Sequence, residues 1–285
     1  MFVIIGALVV LVAVVVGFTM AGGNLILLIQ VSEFITIGGA VIGSLLISAN
    51  PSLLKKIIAA IPKAISGSHS SKTDYLELLK SFYDLFLIAQ RDGLLAIEKH
   101  IEKPKESEII SRNKKFANNE IALSFFCDTL KVMLSGGVPP HELESLMEVE
   151  IDTFEAESEP VAGLISMVGD ALPGLGIVAA VLGIIVTMGS IDKGAEVVGH
   201  HVAAALVGTF LGVLLSYGFV NPLATNVKHV IEGEVRYLET IKAAIVAYAK
   251  GNPPIVAVEI ARRTLYSDSR PSFTELESYL RGKKE

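Results

Sequence analysis

The chain has 285 residues, 51% of them hydrophobic and only 19% charged, and a mean hydropathy of +0.56. A soluble domain usually carries about 25% charge, so this balance excludes a disordered chain and a typical cytosolic enzyme. A formal net charge of -6 argues against nucleic acid as a partner, and a single cysteine, Cys127, excludes a disulfide framework or a Cys-rich metal site.

Of the first 50 residues only Glu33 is charged. A bilayer core about 30 Å thick takes roughly 20 apolar residues as helix, and four stretches supply them. The first runs from Phe2 to Met20, followed by the turn Ala21-Gly22-Gly23-Asn24. It has no basic n-region and a second apolar run follows at once, so it reads as a span and not as a cleaved signal peptide. The second runs from Leu25 to Ser48 and is ended by Pro51. In the long stretch after it, Tyr75, Leu78, Leu79, Phe82, Phe86 and Leu87 recur at helical spacing. Gly93 interrupts, and Leu94, Ile97 and Ile101 continue to Pro104. A further helix covers 118–134, stopped by Gly136-Gly137. Another starts at Pro140, with Leu143, Met147, Ile151 and Phe154 on one face, and leads towards the third span, Leu164 to Met188; Pro160 is a point where it can kink. The fourth span, Val202 to Val220, is closed by Asn221-Pro222. A long tail helix follows, with Val227, Val230, Leu238, Ile241 and Ile245 inward, ended by Gly251-Asn252-Pro253-Pro254. Ser272-Phe273-Thr274-Glu275 has capping-box spacing and opens a last short helix.

No strand pattern and no repeat of fixed period is visible. The expected fold is all-α: a four-span transmembrane helical membrane protein with a large helical cytoplasmic loop and a helical C-terminal tail. Its divisions are spans one and two over 1–48, the loop over 49–163, spans three and four over 164–222, and the tail over 223–285. Thirteen of the 24 Lys and Arg lie in 49–163, ten follow the fourth span, and Lys193 alone lies between spans three and four. The positive-inside bias puts the loop, the tail and both termini in the cytoplasm.

Enzyme chemistry finds no support. There is no phosphate-binding G-x-x-x-x-G-K-[ST] and no H-E-x-x-H. Gly174-x-Gly176-x-x-Ala179 fits a loose dinucleotide fingerprint, but inside a span and without a preceding strand. His200-His201 reads as an interfacial anchor before a metal ligand, and Cys127, among Phe125, Phe126 and Leu130, as an inert core thiol. No metal and no cofactor is expected.

Two carboxyls lie in spans, where ionisable groups are costly and mark function by default. Glu33 is in the early part of span two. There it serves either function or a plain interfacial contact with backbone or solvent. Asp170 is near the cytoplasmic end of span three, three residues before Pro173, and an acid beside a helix hinge suits a gate that moves with charge. Pro222 is either a simple stop or a second hinge. Small residues crowd spans three and four, with Gly208-x-x-x-Gly212 in the fourth; Gly39-x-x-x-Gly43 is the same motif in span two. Thr209 is the polar group within that small face, bonded to its own helix or lining a wet path. No chain of carboxylates crosses the bilayer, so an ion path through these spans needs a partner chain to supply the central acid.

Four strings carry a family resemblance. Val168-Gly-Asp170-Ala-Leu-Pro173-Gly-Leu-Gly-Ile-Val-Ala-Ala180 lies in span three. Val207-Gly-Thr209-Phe-Leu-Gly212 and Tyr217-Gly-Phe-Val-Asn-Pro222 lie in and after span four. Pro253-Pro-Ile-Val-Ala-Val-Glu259-Ile-Ala-Arg-Arg-Thr-Leu-Tyr266 lies in the tail. Together with Glu102-Lys-Pro-Lys-Glu-Ser-Glu108 in the loop, they make the whole chain resemble the MotA family of flagellar motor stator subunits, within the MotA/TolQ/ExbB proton channels. The resemblance implies a ring of such subunits, thought to be five, around two copies of MotB, whose spans bring the ion-binding aspartate. It implies that Pro173 and Pro222 couple ion passage to movement and that Asp170 and Thr209 lie near the ion path. It also implies that a cytoplasmic Arg-x-x-Gly-x-x-x-x-Glu pattern meets the rotor protein FliG. Here Gly93 and Glu98 fit that pattern, Gln90 holds the arginine position, and Arg91 follows it by one residue. Sodium-type relatives tend to carry Thr where this chain has Ala180, so protons are favoured as the coupling ion, with sodium the alternative. An ExbB- or TolQ-like energy-transducing subunit is the rival reading, against which the fourth span and the tail string speak.

Overall fold

A computed structural model describes residues 2–67 and 70–282. Among them every regular element is a helix, and four helices are long and apolar enough to cross a membrane. Helix α1 is Phe2–Met20, α2 is Val31–Ser48 and α3 is Pro51–Ser66. Then come α4 (Lys72–Asp92), α5 (Glu98–Glu102), α6 (Glu108–Arg112), α7 (Lys114–Asn118), α8 (Glu120–Ser135) and α9 (Pro140–Met188). The chain ends with α10 (Ala195–Leu215), α11 (Asn221–Ala249), α12 (Pro254–Thr264) and α13 (Phe273–Leu280).

Three details depart from the sequence expectation, each for a local reason. The second span does not start its helix at Leu25. Leu25–Leu28 is a 3-10 turn capped by the Asn24 side chain, which accepts from the Ile26 N–H at 3.0 Å. The Gln30 side chain donates to the Leu27 carbonyl at 3.1 Å, and α2 begins only at Val31. Pro51 does not end that span; it opens α3, where a missing N–H costs nothing, with Asn50 as cap. Pro222 does not stop the fourth span either. Ser216–Val220 forms one widened π turn in which the Asn221 N–H reaches back to the Ser216 carbonyl, and α11 runs on through Pro222. A proline ring clashes with the carbonyl four residues before it, and one wide turn relieves that clash without breaking the helix.

Contacts divide the chain into two units. The first comprises Met1–Ser68 with Ser158–Val230, the second His69–Glu157 with Ile231–Glu285. The divisions fall inside α9 and α11, where the sequence placed boundaries at the span ends, and α3 groups with the spans and not with the loop. The reason is length. At 1.5 Å per residue the 49 residues of α9 extend about 74 Å, more than twice a bilayer core, and they are helical through both Pro160 and Pro173.

In the second unit one aromatic-rich core gathers α4, α8, α12, α13 and the flanking parts of α9 and α11. Helix α4 opens with a capping box, Ser71 and Asp74; α13 opens with the box read at Ser272 and Glu275. Phe82 stacks on Phe126 at 5.0 Å between ring centroids and meets Phe116 edge-on at 5.8 Å. Phe86 lies flat on Tyr248 at 4.3 Å. Cys127 is buried beside them, and burial pushes its thiol up to about 11, so it holds its proton and stays unreactive.

The tail string proves to be a clamp. Arg262 donates twice to Glu259, at 2.6 and 2.8 Å, and once to the Pro271 carbonyl at 2.7 Å; Arg263 adds a bond to Glu259 at 2.8 Å. Hydrogen bonds from Arg262 hold the Glu259 carboxyl below the usual carboxylate range, against the opposing effect of burial. A carboxyl whose pKa falls on folding stabilises above its unfolded value and loses that contribution as the pH drops through the folded one. Glu259→Gln is therefore expected to lower the melting temperature near neutral pH. The gap to wild type should close on acidification below the carboxylate range. A gap independent of pH would remove the electrostatic account.

Candidate functional site

In the first unit α9 and α10 touch along a seam of small residues. A methyl group built on Gly176 would meet the Gly208 carbonyl oxygen at 2.6 Å and the Thr209 Cα at 3.3 Å. One on Gly212 would meet the Leu172 carbonyl oxygen at 2.5 Å, and one on Gly183 the Ala205 Cβ at 2.7 Å. The two backbones are thus in direct contact over Leu172, Gly176 and Gly183 on one side and Gly212, Gly208 and Ala205 on the other. The reading of Gly208-x-x-x-Gly212 as a packing face agrees with this. Gly39 and Gly43, with the same spacing, have open space around them within this chain.

A polar cluster lies at one end of the seam. The Asn221 side-chain amide donates to Asp170 Oδ1 at 3.0 Å and to the Ser216 hydroxyl at 3.4 Å. Ser216 is fully buried, while Asp170 is exposed. Gly169 makes the bridge possible, since a Cβ there would run into the Asn221 side chain. Pro173 follows Asp170 by three residues and Pro222 follows Asn221 directly, so a proline flanks the bridge on each helix. Pro173 is half-buried and Pro222 exposed. Each proline removes one N–H from its helix, and here both gaps lie beside the Asp170–Asn221 side-chain bond that ties α9 to the start of α11. Asn221 and Ser216 were missed from sequence. The signal was present, in an Asn directly before a proline, but it read as a helix end.

Farther along, Thr209 is half-buried beside Gly176, and its hydroxyl makes no hydrogen bond with the described residues. Seven residues separate Thr209 from Ser216, about 10 Å of helix rise, so Asp170 and Thr209 occupy different levels. Ala179 and Ala180 are buried against Gly208, where a Cβ would come within 3.2 Å of the Ala179 Cβ and the Ala180 nitrogen. Glu33 reaches the same point from α2. Its carboxylate points at Gly208, and its Oε2 is buried without a hydrogen-bond partner among the described residues. His201, two turns before Gly208 on α10, also carries a buried unpartnered ring nitrogen. No group of three or more His, Cys, Asp or Glu suited to a metal ion occurs among the described residues.

Arg91 and Glu98 belong to the other unit. Arg91, in the last turn of α4, is exposed and pairs weakly with Asp92 at 3.4 Å. Gly93, at φ +88°, carries the chain into a 3-10 turn, and the exposed Glu98 opens α5.

Four apolar spans, two of them sealed backbone to backbone with a proline-flanked polar bridge at one end, define a multi-pass helical membrane subunit. Two family models match it: Motility protein A N-terminal over residues 4–93 and the MotA/TolQ/ExbB proton channel family over residues 117–240. The chain is 40% identical to Motility protein A of Salmonella typhimurium, over 99% of its own length and 95% of that protein. It is 39% identical to that of Escherichia coli, over 100% and 96%. Its fold is similar to that in the structure of C. jejuni MotAB, at a TM-score of 0.78 and 22% identity over 95% of this chain and 98% of that one. It is likewise similar to the flagellar MotAB stator complex from Bacillus subtilis, at 0.72 and 23% over 96% and 97%. The chain belongs to the Motility protein A family, the inner-membrane stator subunits of the bacterial flagellar motor.

Proposed function

We propose that this subunit, with a MotB-type partner, passes protons across the inner membrane and turns their flow into torque on the rotor. Five copies would form a ring around two MotB spans, with both termini in the cytoplasm. The observation that carries the reading is the Asp170–Asn221–Ser216 bridge between Pro173 and Pro222. It is one polar tie joining two helices that each have a proline-made gap at that point, so charge arriving near Asp170 changes the bond that fixes their relative position. The membrane potential supplies about 2.3 kcal/mol per charge per 100 mV, comparable with one charge-assisted hydrogen bond. The partner's aspartate would be the proton station at mid-membrane, near Thr209 and Ala180. A dehydrated sodium ion needs several oxygen ligands, and Ala180 offers no side-chain oxygen. Glu33, behind Gly208, would set the seam from the other side. Arg91 and Glu98, both exposed, would meet the rotor protein FliG.

Swimming of a stator-deleted host carrying this chain and its MotB partner tests the ion. Speed is expected to be indifferent to sodium at fixed pH and to fall as the proton gradient is collapsed at fixed sodium. Speed that follows sodium would assign the path to sodium, with the free Thr209 hydroxyl as one ligand.

A further inference from the structure

Two short helices follow the turn at Gly93. Helix α5 opens on Glu98, and Ile97 and Ile101 beside it are buried. A helix of five residues does not hold itself in water, so α5 depends on those two side chains and on the bond that His100 makes. The His100 Nδ1 lies 2.8 Å from the Ser107 hydroxyl. That hydroxyl oxygen also accepts from the Ile110 N–H at 3.3 Å and so caps α6. One hydroxyl therefore fastens α5 to the start of α6 and closes the turn of residues 103–106 between them. Ser107 is only 4% exposed, and His100 is half-buried.

A hydroxyl has one proton to give. With a neutral imidazole whose Nδ1 is bare, Ser107 donates to Nδ1 and accepts from Ile110, and every group is satisfied. A protonated Nδ1 must donate instead. The Ser107 oxygen then receives two donors, and its own proton needs a new acceptor at a buried place, where a missing hydrogen bond is costly. We propose that His100 is a positioning residue for Glu98: its bare Nδ1 ties α5 to the Ser107 cap, and protonation in an acidified cytoplasm releases that joint and weakens engagement of the rotor. This rests on the reading above, in which the second unit is cytoplasmic and Glu98 meets FliG. The charges around the ring agree with it. Burial holds the imidazole below its usual value of about 6.5, Lys99 adds to that effect and Glu108 opposes it. Of the other groups, Glu98 and Glu102 share α5 and are exposed, and in the turn Lys103 pairs with Glu106 at 3.4 Å beside the exposed Lys105. Helix α8, packed on α5, opens on Glu120 and brings Asp128 and Lys131, which pair at 2.8 Å, with Lys131 also drawn to Glu102. A group whose pKa falls on folding stabilises above its unfolded value and loses that contribution as the pH drops through the folded one, so acid loosens the joint.

The test uses the full chain with its MotB-type partner in lipid nanodiscs, with Cys127→Ala and Lys105→Cys and a nitroxide spin label on the new thiol. The mobile fraction of the label is expected to rise on acidification, with a midpoint below about 6.5. His100→Asn keeps an acceptor close to the place of Nδ1 but does not titrate, so its label should stay ordered at every pH. His100→Gln carries its amide one bond farther out and should leave the label mobile throughout. In cells, a weak acid lowers the internal pH at fixed external pH, and the ratio of wild-type to His100→Asn swimming speed cancels the shared loss of driving force. That ratio is expected to fall from about one towards about one half where half of the imidazoles are protonated. A wild-type label that does not respond to pH would overturn the proposal and leave the rotor reading untouched, and so would the same response in His100→Asn. If His100→Asn does not accumulate in membranes, Ser107→Ala decides: the label should then be mobile at every pH, and one that still titrates would overturn the proposal. A label that responds as expected while the speed ratio stays at one would break the link to Glu98, and with it the rotor role read for that residue.

Discussion

Replacing Gly212 by alanine is expected to abolish swimming, and so is replacing Gly176, while the same change at Gly39 or Gly43 leaves swimming near the wild-type level. The new Cβ at 212 would lie 2.5 Å from the Leu172 carbonyl oxygen and 2.9 Å from the Gly176 Cα; at 176 it would lie 2.6 Å from the Gly208 carbonyl oxygen. All of these are backbone atoms, so no rotamer change makes room and α9 and α10 must separate. Between helices in lipid there is no hydrophobic drive to hold a loosened pair together, only close contact and hydrogen bonds. A gap of 0.5–1 Å forfeits roughly a quarter to a half of each contact's attraction, and overpacking costs about 1–3 kcal/mol more. Immunoblots of membranes separate loss of insertion from loss of torque, and melting of the detergent-solubilised chain reads the packing itself. Full swimming with Gly212→Ala would mean that the seam does not position the ion path.

The contrast between the two Gly-x-x-x-Gly motifs shows how far the sequence could be read. Both have the spacing that lets helices approach, and only their surroundings tell them apart: Gly208 and Gly212 face α9, while Gly39 and Gly43 face no other part of this chain. The four spans, the loop helices and the inward faces of α4, α9 and α11 were legible because apolar periodicity reports burial directly. The joints were not. Pro51 and Pro222 look alike as helix stops, yet one opens a helix and the other is carried past by a single π turn, and that choice depends on packing that no local pattern records. The same holds at the site. Asp170, Pro173 and Pro222 were visible as isolated signals, whereas Asn221 and Ser216 gain their roles only when α9 and α10 lie antiparallel and Gly169 leaves space for the bridge.

The second unit is expected to fail by temperature. Phe82→Ala removes the ring that stacks on Phe126 and meets Phe116 edge-on, all three essentially inaccessible to solvent. A buried Phe→Ala change costs about 3–5 kcal/mol, against a total stability of about 5–15 kcal/mol for an ordinary domain. For a unit of this size that lowers the midpoint by about 6–20 °C. Function should follow, because Phe82 anchors α4, whose last turn carries Arg91 and whose end at Gly93 leads to Glu98. A variant that swims in the cold and stops on warming is the expected phenotype, while α1, α2 and the α9–α10 seam stay intact. Limited trypsin digestion of membranes gives the independent reading. At 1.4 kcal/mol per tenfold, cleavage within residues 70–135 should accelerate by about 10² or more, and Phe82→Leu should recover part of it because a branched side chain refills some of the volume. Unchanged cleavage with lost swimming would instead give Phe82 a part in the rotor contact, a role that its complete burial argues against.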